Sequence, residues 1–433
     1  MILIKNIDIL NSDGKFSSSQ NVTIDGSVIK DITADVPEGT FDREIDGKGK
    51  ILMPGFTNTH AHSPMCLMRG YGENLKLNEW LNTRIFPFED HLTSEAVHSA
   101  TLLAMAESFR FGIVSTTDMY YFCEDMVNAA IDCGAKMNVS RSLISFDENE
   151  DVLTMQSYLE AESLFNGFHG AGDGRILVDF SLHAEYTSTP RLVRALAAMA
   201  HQNNANMHVH ISETKEEHEG CKERRDGRTP AAYLNDLGLF DTKTTAAHCV
   251  WVEEADMDIF REKGVNVASC PVSNLKLASG VCNVPLLLEK GVAVSLGTDS
   301  VASNNSLNFI EEMKVFALVN KEKRSDPTSI TPAEAIAAAT ISGALSQGRM
   351  DCGKIEKGYK ADLILLDATA PHMYPMHEAV NNVVYSASGS DVCMTMIDGK
   401  IVYENGDFLT IDTEKVTADV VKHAMAISGV LNG

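Results

Sequence analysis

The strongest constraint on this chain is an alternation. Through its middle, apolar runs of strand length alternate with amphipathic segments of helix length. The runs close near His62 ("GFTNTHAH"), Asp118 ("GIVSTTD"), Arg141 ("KMNVSR"), His183 ("ILVDFSLH"), His210 ("NMHVH"), His248 ("TTAAH"), Pro271 ("VNVASCP") and Asp299 ("VAVSLGTD"). Between them lie stretches such as "SEAVHSATLLAMAESFRF", "TPRLVRALAAMAHQ" and "EEADMDIFREKG". Eight strand–helix alternations over about 250 residues are the arithmetic of an α/β chain folded as a TIM-like (β/α)8 barrel. The two ends read differently. "MILIKNIDILNSDGKF", "NVTIDGSVIKDI" and "REIDGKGKILMPG" at the start, with "GYKADLILLD" and "MTMIDGKIVYENGDF" near the finish, are short strands punctuated by Asp-Gly and Gly-Lys turns. The expected organisation is one small β domain built from residues 1–54 and 355–433, interrupted by a barrel of residues 55–354.

Most of the barrel runs end on His, Asp or Arg. A barrel of this type carries its active site at the C-terminal ends of its strands, and buried polar groups there are tolerable only if something satisfies them. His60 and His62 stand two residues apart, so on a strand they point to the same side. Two imidazoles aimed into a barrel mouth make half of a metal site. His210 and Asp299, at the ends of the fifth and eighth runs, supply the rest. Three neutral imidazoles and a carboxylate suit a Zn-type divalent ion with one open position. His208 shares a face with His210; His210 is the favoured ligand because Glu213 follows three residues later, and His208 is read as packed deeper. Two other histidine patterns lead nowhere. "HAE" at 183–185 lacks the P-C-x-x-C of a cytidine-deaminase zinc site, and no H-E-x-x-H helix is present. His91, His98, His169, His201, His218, His372, His377 and His423 have no motif around them and are read as surface or structural.

Composition narrows the partners. A formal net charge of -24 repels phosphate backbones and anionic head groups, which argues against nucleic acid and membrane. Nine scattered cysteines without C-x-x-C spacing fit reduced thiols in the cytoplasm. The N-terminus lacks the basic start and long apolar run of a signal peptide. The partner expected is a small molecule; a homo-oligomer is compatible with the sequence.

Taken together, "PGFTNTHAHSPMCLMRGYGENLKLNEWL", "FPFEDHLT", "HISETKEE", "AAHCVWV", "SCPVSNLKLASG" and "LGTDSVASNNSLN" resemble the amidohydrolase superfamily, within it the methylthioadenosine/S-adenosylhomocysteine deaminases, over nearly the whole chain. The resemblance implies a barrel with a small β-sandwich made from both chain ends. It implies one divalent metal, Zn2+ before Fe2+ or Mn2+, held by His60, His62, His210 and Asp299, with His183 at the end of strand four where a bridging lysine would otherwise stand. It implies Glu213 as proton shuttle, His248 as the residue orienting the attacking water and Asp299 as acceptor of that water's proton. Trp80 and Glu89 would line the base and ribose pocket, and Arg141 and His183 the ribose side. The implied reaction is hydrolytic deamination of an adenosine-type nucleoside: methylthioadenosine, S-adenosylhomocysteine, 5′-deoxyadenosine or adenosine.

The sequence also departs from that family. A second arginine that holds the amino-acid tail in some relatives is replaced here by Leu153, beside the acidic "FDENEDV". The family's His-x-Pro-Tyr becomes His183-Ala184-Glu185-Tyr186, which puts another potential carboxylate, Glu185, near the site. Both changes favour small or neutral 5′ groups, although the basic loop "KERRDGR" offers other cations. Two rival readings differ in substrate or in kind: deamination or dechlorination of another heterocycle (guanine, a pterin, a triazine), and a non-catalytic barrel scaffold. The scaffold reading predicts lost ligands, and none is lost.

Overall fold

The computed structural model describes residues 1–432. Eight parallel strand positions run in sequence order around a nearly closed barrel: Phe56–Ala61, Ile113–Tyr120, Lys136–Leu143, the pair Ile176–Val178 and Phe180–Leu182, Met207–Ile211, Thr244–His248, Asn266–Ser269 and Ala293–Leu296. Several are buried at every position, as expected of parallel strands covered on both faces. The fourth run is a split strand, interrupted at Asp179, whose carboxylate takes the side-chain amide of Asn138. Across the seam, Asp299 N–H donates to the His60 carbonyl at 2.9 Å, and Asn58 binds Thr298 through both its amide groups. First and last strands therefore meet at the level of the candidate ligands.

The covering helices follow from local chemistry. In Pro190–Gln202, Thr189 caps the start by accepting the Leu192 N–H, and Pro190 sits where its missing N–H costs nothing. Leu192, Val193, Leu196, Ala197, Met199 and Ala200 form the buried face at helical spacing.

The chain ends form a separate sheet. Its strand order is Asp407–Phe408, Lys400–Glu404, Val392–Ile397, Leu363–Asp367, Lys50–Pro54, Ile2–Leu10, Phe16–Asp25 and Val28–Thr33, with Arg43–Asp46 pairing alongside Ile2–Leu10. The two termini are joined where Lys50–Pro54 pairs antiparallel with Leu363–Asp367. This sheet closes on its own apolar cluster, including Ile4, Ile7, Val22, Leu52, Leu363 and Met396. Only Gly55 separates its strand Lys50–Pro54 from the first barrel strand. The last helix, Thr413–Asn432, leaves the sheet and packs on the barrel helix Ser94–Arg110. Among the described residues no helix is long and apolar enough to cross a membrane.

Candidate metal centre and catalytic pocket

His60 and His62 project from the end of the first barrel strand, His210 from the fifth, and Asp299 from the loop after the eighth. The Asp299 Oδ1 lies 3.6 Å from His60 Nε2 and 3.4 Å from His62 Nε2. His62 Nε2 and His210 Nε2 are 3.4 Å apart.

The other ring nitrogens explain why the Nε2 atoms face one another. His62 Nδ1–H donates to the Met119 carbonyl at 2.7 Å, and His210 Nδ1–H donates to the His183 carbonyl at 2.6 Å. In neutral rings those bonds place the proton on Nδ1 and leave a lone pair on Nε2. Two lone pairs 3.4 Å apart repel unless a cation lies between them. His60 is fully buried, its Nδ1 meets His208 Nε2 at 2.8 Å, and its own Nε2 has no hydrogen-bond partner. Burial holds His60 and His210 well below the ordinary histidine pKa, so both are neutral. An orphaned Nε2, two facing lone pairs and a carboxylate fit a divalent ion of the Zn type. His208 stands behind His60, with its pKa lowered to about 3 by burial.

Asp299 is held tightly. Its Oδ2 accepts from Ser273 Oγ at 2.5 Å and Ser303 Oγ at 2.9 Å, and its Oδ1 from the Ser300 N–H at 2.7 Å. Its φ of 61° lies in the left-handed region, which Asp tolerates better than most residues. Gly297, just before, lets the eighth strand touch the first: a Cβ there would lie 2.8 Å from the Cβ of His60.

His248 differs from the three candidate ligands. The side-chain amide of Asn274 donates to its Nδ1 at 3.0 Å, so the neutral ring carries its proton on Nε2. The atom facing the site is a donor, although His248 lies within ligand distance of His60 and His210. Glu213 Oε2 is 3.7 Å from that Nε2. Burial, helped by the Asp299 carboxylate, pushes the Glu213 carboxyl up to about 8. Its backbone is fixed by Glu217, whose carboxylate accepts the N–H groups of Ser212 at 2.8 Å and Glu213 at 2.7 Å. Thr214 caps the helix Lys215–Arg224.

A cavity opens above these groups, lined by His62, His210, Glu213, His248 and Asp299 together with Trp80, Glu89, His183 and Tyr186; the ring of His183 lies 5.0 Å from that of His210. Trp80 and Glu89 lie on one helical stretch, residues 77–89. Pro87 cannot donate to that helix, and the Phe86 N–H reaches back five residues to the Leu81 carbonyl. Burial pushes Glu89 up to about 7 and holds His183 down to about 4. His183 Nδ1 meets Thr187 Oγ1 at 2.9 Å.

Arg141 does not line this cavity. It lines an adjoining outer chamber, which shares Phe86, Glu89 and Tyr121 with the inner one. Glu185 lines neither: it is fully buried, with Arg224 at 2.6 Å and Arg225 at 2.9 Å. The reading of Glu185 as a carboxylate at the site is thereby corrected, because the arginines of the basic loop already neutralise it. Sequence reasoning missed Ser273, Ser303, Asn274 and Glu217. Only Glu217 left a trace, the Thr214-x-x-Glu217 spacing of a helix start.

Residues 51–402 match the amidohydrolase family. The chain is 38% identical over 425 residues, 98% of each chain, to a 5-methylthioadenosine/S-adenosylhomocysteine deaminase of Caldanaerobacter subterraneus subsp. tengcongensis. It is 38% identical over 433 residues, 100% of this chain and 99% of the other, to a 5′-deoxyadenosine deaminase of Methanosarcina mazei. Among solved structures it superposes with a TM-score of 0.93 on an adenosine deaminase from Xanthomonas campestris with bound zinc. That match is 29% identical and covers 99% of this chain and 98% of the other.

Proposed function

This chain belongs to the amidohydrolase family, and from that premise we propose that it is a metal-dependent deaminase of adenosine-type nucleosides. The observation that carries the reading is the pairing of two opposite environments in one pocket. Three imidazoles and Asp299 converge as a ligand set, while Glu213 beside them keeps its proton at neutral pH.

His60, His62, His210 and Asp299 would hold the ion, Zn2+ on this donor set, which supplies Lewis-acid activation of the attacking water. His248 offers its Nε2–H to that water and keeps it in line. Asp299 accepts the proton the water loses. Glu213 gives its proton to the purine ring nitrogen next to C6, which makes C6 electrophilic. Water's oxygen bonds to C6; Asp299 then passes the proton it took to the departing amino group, the C6–N bond breaks and ammonia leaves, and the remaining hydroxyl proton returns to Glu213 as the 6-oxo product forms. Trp80 offers a flat apolar face for the base. Glu89 can accept from two ribose hydroxyls when ionised, and His183, which lines the same cavity, takes the ribose side. Nine unpaired cysteines support a cytoplasmic setting.

The test is a deamination assay on zinc-loaded protein with adenosine, 5′-deoxyadenosine, methylthioadenosine and S-adenosylhomocysteine, and guanine as control. Loss of the adenine chromophore with release of ammonia is the expected result. No turnover of any adenosine with metal bound would move the substrate to another amino-heterocycle and remove the roles given to Glu89 and His183.

A further inference from the structure

A nucleoside held with its base at the ligand cluster and its ribose at Glu89 sends its 5′ substituent into the outer chamber, because Glu89, Phe86 and Tyr121 form the boundary between the two spaces. That chamber is lined by Glu89, Asp90, Glu124, Asp125 and Glu160, and its one cation is Arg141. A carboxylate-bearing tail would need Arg141, since a guanidinium binds a carboxylate through a fork of two N–H groups.

Arg141 is already partnered, and its charge is paired with that of Glu160. Its Nε donates to Glu160 Oε2 at 2.7 Å and its Nη1 to the Ser142 carbonyl at 2.5 Å, while the group stacks 4.8 Å above the Tyr121 ring. Nε belongs to the side fork, so Glu160 takes a member of that fork and pairs with the charge of the group, while Nη1 spends one of its two N–H groups on Ser142. Glu160 is itself steadied one helical turn back by the Gln156 amide at 3.1 Å. No replacement cation comes from the basic loop: Lys222 pairs with Glu253, Arg224 and Arg225 with Glu185, and Arg228 with Asp236.

We infer that Glu160 is a specificity-determining residue: by occupying Arg141 it makes the outer chamber discriminate against 5′ substituents that carry a carboxylate. This rests on the nucleoside-deaminase reading above. The discrimination is a missing partner for one anion among like charges, so it acts on the carboxylate and leaves an ammonium on the same tail unopposed.

The test uses two substrates that differ only in that group, S-adenosylhomocysteine and 5′-(3-aminopropylthio)-5′-deoxyadenosine, with the zinc-loaded full chain. In the wild type, kcat/KM for the amine should exceed that for S-adenosylhomocysteine by about tenfold or more, the worth of a hydrogen bond to a charged group. Glu160→Gln should shrink this ratio about tenfold by releasing the guanidinium. Adding Arg141→Gln to that variant should restore the ratio, whereas a merely structural Glu160 would not respond to Arg141. A wild type equally efficient on both substrates, or a ratio that Glu160→Gln leaves alone, overturns the inference while the deaminase reading stands. A protein that deaminates neither these nor the simpler adenosines loses both.

Discussion

At the scale of single residues, the proposed chemistry depends on which ring nitrogen carries a proton. His62 and His210 are turned by backbone carbonyls so that Nε2 is a lone pair; His248 is turned by Asn274 so that Nε2 is a donor. Asn274→Leu should therefore lower kcat by about 10–100-fold, the usual cost of losing an orienting partner, with bound metal unchanged by elemental analysis. Glu213→Gln should lower kcat by about 10²–10⁴-fold, the worth of positioned acid–base catalysis, again with metal retained; near-normal turnover would remove Glu213 from its role. The candidate ligands could be proposed from sequence because His60, His62, His210 and Asp299 all fall at the C-terminal ends of barrel strands, where such an active site lies; an H-x-H pair alone is common. Asn274, Ser273 and Ser303 were not, since an amide or hydroxyl in a loop carries no spacing that names its partner. Arg141 could be placed at a strand end from sequence, but its capture by Glu160, a helix residue nineteen positions on, could not.

At the scale of elements, the loops that carry the site are tied down by buried carboxylates. Glu312, from the helix Phe309–Arg324, accepts the Val272 N–H at 2.9 Å and the Asn304 amide at 2.8 Å, joining the loops after the seventh and eighth strands. Burial pushes its carboxyl from the ordinary 4.5 up to about 8. In that window the folded protein holds a proton that the unfolded chain has released, so the group's contribution to stability falls as pH rises from about 4.5 to about 8. Glu312→Gln lacks this titration. The difference in Tm between wild type and variant, followed from about pH 5 to about pH 8, should shift steadily against the wild type; a constant difference would show that Glu312 is ionised throughout. The barrel itself was readable from its alternating runs and helix starts. The break at Asp179 was not, because it answers to Asn138 on the neighbouring strand rather than to any local turn residue.

At the scale of the whole molecule, the barrel and the sheet of the chain ends are joined by charge as well as by chain. Lys136 opens the third barrel strand and is buried against Asp362 at 2.5 Å, just before a strand of the end sheet, and Asp398, at one of its turns. Lys136→Met would strand two carboxylates, one fully and one largely buried, and should destabilise the protein by about 3–5 kcal/mol, read as a lowered midpoint in urea. That both termini contribute to one sheet was visible in their matching style of short strands and Asp-Gly turns. That the final helix returns to the barrel was not, because its apolar face does not say which surface it will cover. The seam of the barrel has one more consequence. Asn58 and Thr298 are 240 residues apart in the chain, and the proposed ligands His60 and Asp299 stand close to them. During synthesis the first two histidines emerge long before their carboxylate. A complete coordination pocket therefore cannot exist on a growing or half-folded chain, and tight retention of the ion becomes a report that the barrel has closed.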